Sequence, residues 1–303
     1  MKYILGIHPR FSPRWRLLFL FLNFCASLAS SQATVLLFDQ FNDGNRGGPS
    51  ADVASGSEVL SNSGWWDRSN NLAMSVNSNV LRINPAAVGG NAQILTYFTP
   101  SGSPVALAVG ETLRLTMDFS FVGSTPNVSN GFSVGFFNSN GTRTSADNTG
   151  ANGGNRIDDL GYAVRTNPGA TTGTGITEKT STTVDYFTSL PLIGTTMTTG
   201  AYSANTTYTM TWDLTLTSST QMDFSLSING GILSATTRSD TVSPTTSFDT
   251  LSFFNFNSTP VVVDLDNVKV EYFAVPEPHG IFLSALVFVG LVFFCKKYRR
   301  SKI

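Results

Sequence analysis

Three stretches of the 303-residue chain alternate strictly between apolar and polar side chains. "TLRLTMDFSF" puts Leu113, Leu115, Met117, Phe119 and Phe121 on one face. "TYTMTWDLTL" does the same with Tyr208, Met210, Trp212, Leu214 and Leu216, and "QMDFSLSI" with Met222, Phe224, Leu226 and Ile228. A period of two, rich in aromatics and threonine, predicts antiparallel strands with one buried face. Further strands are predicted at 80–83, 92–98, 131–137, 161–165, 182–187, 232–237 and 250–256. In the closing stretch "VVVDLDNVKVEYF" the apolar positions shift from odd (Val261, Val263, Leu265) to even (Val268, Val270, Tyr272). One extra residue produces such a shift, so a β-bulge is predicted near Asp266-Asn267. Ser218-Ser219 and Asn229-Gly230-Gly231 supply tight turns, so the strands around them should pair as a meander. No internal segment carries a helical period, and no repeat of fixed length is visible. The pattern predicts an all-β fold, a single antiparallel β-sandwich of jelly-roll type over residues 34–274.

The two ends follow different rules. Residues 1–33 carry Lys2, Arg10, Arg14 and Arg16, then an apolar run from Leu17 to Phe24, then small residues at Ser31-Gln32-Ala33. This is the layout of a signal peptide, and the apolar run is too short to span a bilayer. At the other end, Gly280 to Cys295 is uncharged and is followed by Lys296, Lys297, Arg299, Arg300 and Lys302. As a helix that run would be about 24 Å long, and the basic cluster would hold its end cytoplasmic. Residues 275–303, with Pro276-Glu277-Pro278, the apolar segment 280–295 and the basic end, resemble the PEP-CTERM sorting tail of bacteria that have an exosortase. The resemblance implies export, passage through the membrane by an apolar sorting helix, and processing by the exosortase. It places the product at the cell surface or in an exopolysaccharide matrix. The competing reading of the tail is an ordinary transmembrane anchor.

Setting the ends aside changes the charge picture. Residues 34–278 keep all 20 Asp and Glu but only ten of the 19 Lys and Arg, so the body is strongly acidic although the whole chain sums to −1. An acidic body with two lysines, Lys179 and Lys269, argues against binding a phosphate backbone, so nucleic acid is not an expected partner. Cys25 and Cys295 both lie in the end segments, as do His8 and His279. The body therefore has no disulfide, no thiolate or histidine nucleophile and no His-bound zinc.

The opening "LLFDQFNDGN", the alternating strands and the closing "DLDNVKVEY" resemble the concanavalin-like lectin and glucanase sandwich over most of the body. That superfold hosts lectins, adhesion domains and glycosidases, so it does not choose a function. Glucanases of this kind carry Glu-x-Asp-x-x-Glu on one strand, and no such motif exists here. Glu58, Glu111, Glu178, Glu271 and Glu277 each stand alone. The body is therefore expected to be non-catalytic, with a carboxylate pair assembled from distant strands as the remaining route to hydrolysis. Asp39 opens an acidic loop that is not an EF-hand, because Phe41 occupies a ligand position. The sandwich resemblance nominates Asp39 and Asp266 for a structural Ca²⁺ between first and last strands. Ordinary Asx-turns are the competing reading.

For a ligand, the richest polar segment is "NSNGTRTSADNTGANGGNRIDDLGY". Asp147, Asn148, Asn152, Asn155, Arg156 and Asp158 there can hydrogen-bond sugar hydroxyls, and Trp65 or Trp66 can supply a face for a pyranose ring. Strand alternation allows at most one of the two tryptophans to be exposed. The competing reading is a solvated loop above a packed tryptophan. The expectation is an exported, non-catalytic glycan-binding surface or matrix protein, with extracellular polysaccharide as partner and Ca²⁺ as a candidate ion. A purely structural matrix protein and an atypical glycoside hydrolase are the alternatives.

Overall fold

The computed structural model describes residues 33–42, 44, 46, 64–68, 74–85, 91–125, 131–144, 147, 157–182, 186–187, 190–256 and 261–275. Residues 1–32 and 276–303, on which the signal-peptide and sorting-tail expectations rest, including Pro276, Glu277, Pro278 and 280–295, lie outside them. Among the described residues no helix is long and apolar enough to cross a membrane.

The described strands run in chain order as β1 (Ala33–Asp39), β2 (Trp65–Asp67), β3 (Met74–Asn77), β4 (Val80–Ile83), β5 (Asn91–Tyr97), β6 (Val105–Ala106), β7 (Thr112–Val122) and β8 (Phe132–Asn138). They continue as β9 (Leu160–Thr166), β10 (Gly175–Lys179), β11 (Thr207–Ser218), β12 (Gln221–Ile228), β13 (Leu233–Asp240), β14 (Ser247–Phe248), β15 (Thr250–Phe256) and β16 (Val262–Phe273). An eight-stranded sheet has the order β13-β12-β11-β7-β16-β4-β3, with β1 also paired to β16. A six-stranded sheet has the order β10-β9-β8-β15-β5-β2, and β14 and β6 form a small third sheet. All the ladders are antiparallel, and the chain crosses repeatedly from one large sheet to the other, so the molecule is a β-sandwich.

The alternation that marks the sequence is the packing rule of the larger sheet. β7 reads intermediate-buried throughout its length, and β11 and β12 do the same in register with it, Trp212 opposite Leu115 and Leu226. Their inward side chains meet those of the other sheet in one continuous core, where Phe136 stacks on Trp212 with centroids 5.2 Å apart. The meander β11-β12-β13 forms as expected, with Gly230 and Gly231 both at positive φ in its second turn. The bulge also forms. The register of β16 against β7 shifts between Asp266 and Lys269, and Asn267 sits at φ 50°. The bulge divides one edge of β16 in two, with β4 paired to Val263–Leu265 and β1 to Val268–Phe273.

The smaller sheet departs from the simple rule because both its faces are covered. A second apolar cluster of Trp66, Leu95, Tyr97, Phe137, Ala163, Tyr186 and Leu190 lies on its outer side. β8 is consequently buried on successive residues, and so is β10 even though its sequence, GITEK, ends on two charges. This corrects the strand predicted at 182–187. Residues 183–185 lie outside the described residues, while Thr182 is a bend and Tyr186-Phe187 a turn, with both rings against Phe137, Tyr186 stacked at 4.2 Å and Phe187 edge-on at 5.7 Å. Strand alternation would send them to opposite sides.

Candidate functional site

Two regions concentrate polar chemistry, and both border the six-stranded sheet. The first is where the sequence points. Arg46 grips Asp147 with both guanidinium branches, and the backbone N–H of Asp67 donates to the same carboxylate at 2.9 Å. Thr144 N–H donates to the Tyr97 hydroxyl at 2.7 Å, and the Arg143 guanidinium lies 4.4 Å above the Tyr97 ring. Arg143 also pairs with buried Asp249 at 3.0 Å, whose other oxygen accepts from Ser139 N–H. Nearby, Lys179 is fully buried, and its ammonium donates to the carbonyls of Ile157 and Ser181 at 2.9 Å each and to that of Asp159. Asp159 is buried too and accepts from the Tyr186 hydroxyl. Burial pushes its carboxyl up to about 7; the Tyr186 bond works against the shift, Asp158 adds to it, Lys179 opposes it and Asp249 adds to it.

These bonds tie the ends of the long polar loop to the sheet. They form a clasp whose described groups turn toward the protein. Trp65 is wholly buried in the main core, its indole N–H donating to Asp39 at 2.8 Å, and Trp66 is 7% exposed under the outer cluster. The expectation that one tryptophan would offer a ring to a sugar is corrected: alternation does send them to opposite faces, but both faces are covered. Asp147 is committed to Arg46 and Asp67, while Asp158 is half-buried and accepts from Asn140 at 3.3 Å. Asn148, Asn152, Asn155 and Arg156 lie outside the described residues.

The residues nominated for Ca²⁺ do not fit one shell. Asp39 faces the core, with one oxygen accepting from Phe41 N–H at 2.8 Å in an Asx-turn and the other from Trp65. Asp266 projects from the opposite face of the eight-stranded sheet beside Asp118. Burial raises its pKa, the Asn267 N–H opposes the rise and Asp118 adds to it. That acidic pair is bridged by Asn267, whose amide donates to Asp118 at 2.8 Å and accepts from Gln40 at 2.9 Å. Among the described residues no three His, Cys, Asp or Glu side chains cluster as metal ligands.

The second region has no marker in the sequence. β10 and β13 are the outermost strands of their sheets, and residues 190–200 run between them, bridged to β10 and reached from β13 by Arg238, which donates to the Thr195 carbonyl at 3.2 Å. Residues 190–197 run beside β10, held by Glu178 N–H to Pro191 carbonyl at 3.0 Å and Ile193 N–H to Ile176 carbonyl at 2.8 Å. Between this segment and the end of β13 lies a cleft of about 250 Å³, open to solvent. Two carboxylates face it, Glu178 and Asp240, with Ser239 and Thr241 beside them and Leu192 and Val242 exposed at its rim.

The two acids are held differently. Asp240 accepts from the Tyr162 hydroxyl at 2.8 Å through one oxygen and from Val242 N–H at 2.9 Å through the other. Tyr162 in turn accepts from Thr245 N–H at 2.9 Å, so the whole group is oriented. Glu178, inward-facing two residues after the core residue Ile176, is only 8% exposed, and no hydrogen bond or ion pair of its carboxylate occurs among the described residues. Burial first, and the charge of Asp240 second, push its pKa up to about 7. The one sequence signal for this acid is its parity with Ile176, which assigns an isolated glutamate to an inward face.

No protein-family model matches the chain, and no curated protein matches it in sequence. Among solved structures it is similar to an endo-1,3-beta-glucanase from Streptomyces sioyaensis, at 15% identity over 81% of this chain and 98% of that one, with a TM-score of 0.46. It is also similar to the metal-free carbohydrate recognition domain of Emp46p (15%, 73% and 92%, TM-score 0.44) and to alginate lyase Aly36B (15%, 80% and 97%, TM-score 0.41). At these scores the likeness decides nothing about the site, and the sandwich rests on its own ladders.

Proposed function

We propose that this chain is an exported cell-surface or matrix protein, sorted through its tail by an exosortase, whose sandwich binds carbohydrate without cleaving it. The observation that carries the binding reading is the cleft at the β10–β13 edge. Carboxylates and hydroxyls accept and donate to sugar hydroxyls, and the apolar rim of Leu192 and Val242 suits the C–H face of a ring. At about 250 Å³ the cleft falls just below the ~300–1,000 Å³ of pockets for drug-sized ligands, the scale of a single ring. The end segments and the acidic body support the export reading.

The test is calorimetry of the full-length chain against a panel of polysaccharides, including matrix from its own host. Saturable heat that Leu192→Asp weakens supports the reading. Absence of heat with every polysaccharide leaves a structural matrix role in its place.

A second reading is favoured by one observation: a carboxyl held protonated near neutrality beside another carboxylate is the arrangement of glycoside hydrolysis. Binding is preferred because both Asp240 oxygens already accept fixed donors, which ties up the group a water-activating base would use. Release of reducing sugar that Glu178→Gln abolishes would reverse that preference.

A further inference from the structure

We infer that the cleft selects a free amino group on its glycan, so that its ligand is a polysaccharide containing de-N-acetylated 2-amino sugars, whose ammonium is received by Glu178 beside Asp240. This rests on the carbohydrate-binding reading and narrows it.

The argument starts from an imbalance. A buried charge is ordinarily paired and hydrogen-bonded, and leaving one without a partner is among the costlier features a fold can carry. Glu178 is more than nine-tenths buried, faces another acid, and has no partner among the described residues. The described cations within reach are committed elsewhere. Lys179, next in sequence, points to the other side of β10 and is held by three carbonyls. Arg238 on β13 lies against Gly194 at the cleft's border, but it donates to the carbonyls of Thr195 and Thr237. Tyr162, from β9, gives its proton to Asp240. The described groups facing Glu178 from neighbouring strands therefore supply no positive charge to it, and the cleft is complete only when a ligand brings one.

The chemistry of that ligand follows. Uronic acids and sulfated sugars bring negative charge toward two carboxylates and are disfavoured. A neutral sugar can donate hydroxyls but does nothing to favour the ionised form of this carboxyl over its protonated one. A divalent cation wants six or more oxygen ligands, or several carboxylates, and two acids with one already doubly occupied do not provide them. A primary ammonium carries three donors on a compact charge and needs few acceptors. On a pyranose ring it also brings an apolar C–H face to Leu192 and Val242.

The experiment compares, at pH 7, a glucosamine oligosaccharide with its fully N-acetylated counterpart by calorimetry on the full-length chain. A glucan oligomer, a polygalacturonate oligomer and a lysine-rich peptide complete the set. The expected result is at least about tenfold tighter binding of the amino form, the scale of a hydrogen bond to a charged group. Glu178→Gln should abolish that preference and Asp240→Asn should reduce it, with urea midpoints confirming that both variants fold. Equal affinity for the amino and N-acetylated forms overturns the inference and leaves carbohydrate binding intact. Binding of the lysine peptide as tightly as the amino oligosaccharide also overturns it, by showing an ammonium site indifferent to sugar. Silence with every saccharide removes both readings together.

Discussion

Glu178 and Lys179 are consecutive residues of β10 and face opposite sides of it, and both are buried. On the lysine's side the protein has closed over the charge, with three carbonyls converging on one ammonium and the loop ends clasped down around it. On the glutamate's side a cleft opens to solvent and the carboxyl meets another acid. The difference separates two uses of a buried charge. One supplied with partners fixes a loop, whereas one left short of partners exposes an unmet need to whatever enters from solvent.

Substitutions can break or sharpen this contrast, and the largest effects belong to the closed side. Trp66→Ala should cost about 3–5 kcal/mol in urea unfolding, as a buried aromatic under a packed cluster does, with no selective effect on ligand affinity. A loss of binding without loss of stability would instead make that ring a sugar platform. Lys179→Met should cost about 3 kcal/mol, since it strands the buried Asp159 carbonyl and removes the donor shared by two part-buried ones. A midpoint unchanged from wild type would mean the ammonium does not hold the loop. Asp147→Asn, at the more exposed rim of the clasp, should cost only ~1–2 kcal/mol because its partners remain within reach of water.

The last effect is shared by the two sides and takes its sign from pH. Glu178 and Asp159 both have folded-state pKa values pushed up to about 7 from 4.5 and 3.8. Between those limits the folded chain holds protons that the unfolded chain has released, so their contribution to stability declines as pH rises toward 7 and is flat above it. Glu178→Gln and Asp159→Asn should each flatten part of that decline in melting temperature, and the two together more than either. A melting temperature that rises from pH 5 to pH 7 in wild type and is unmoved by either substitution would contradict both assignments.

How much of this was readable in advance depended on whether one face or two are covered. β7, β11 and β12 have one buried face, so polar and apolar residues alternate, and even the bulge at Asp266-Asn267 shows as a change of parity. β8 and β10 have two, the second supplied by Tyr186, Phe187 and Leu190, and nothing local in GITEK or WWD tells of a layer contributed from elsewhere in the chain. Trp65 and Trp66 looked available for the same reason. Glu178 and Asp240 belong to no motif because their meeting is a property of two sheet edges, not of a segment. The long polar loop was visible through its composition, but composition could not show that Asp147 and Arg143 spend their charge on the protein itself.

The position of β16 carries a consequence for timing. The last strand of the body runs through the larger sheet, with β7 along one side and β4 and then β1 along the other. Until Phe273 is available, β1 and β7 lack the strand that joins them, and the first strand waits for the last. Pairings between the two ends of a chain are slow to form, and unjoined sheets expose their edges meanwhile. If the chain is exported as proposed, threaded N-terminus first, it would stay open, and so able to keep moving, until nearly all of its body had crossed, and closure of the sheet would mark the end of the journey.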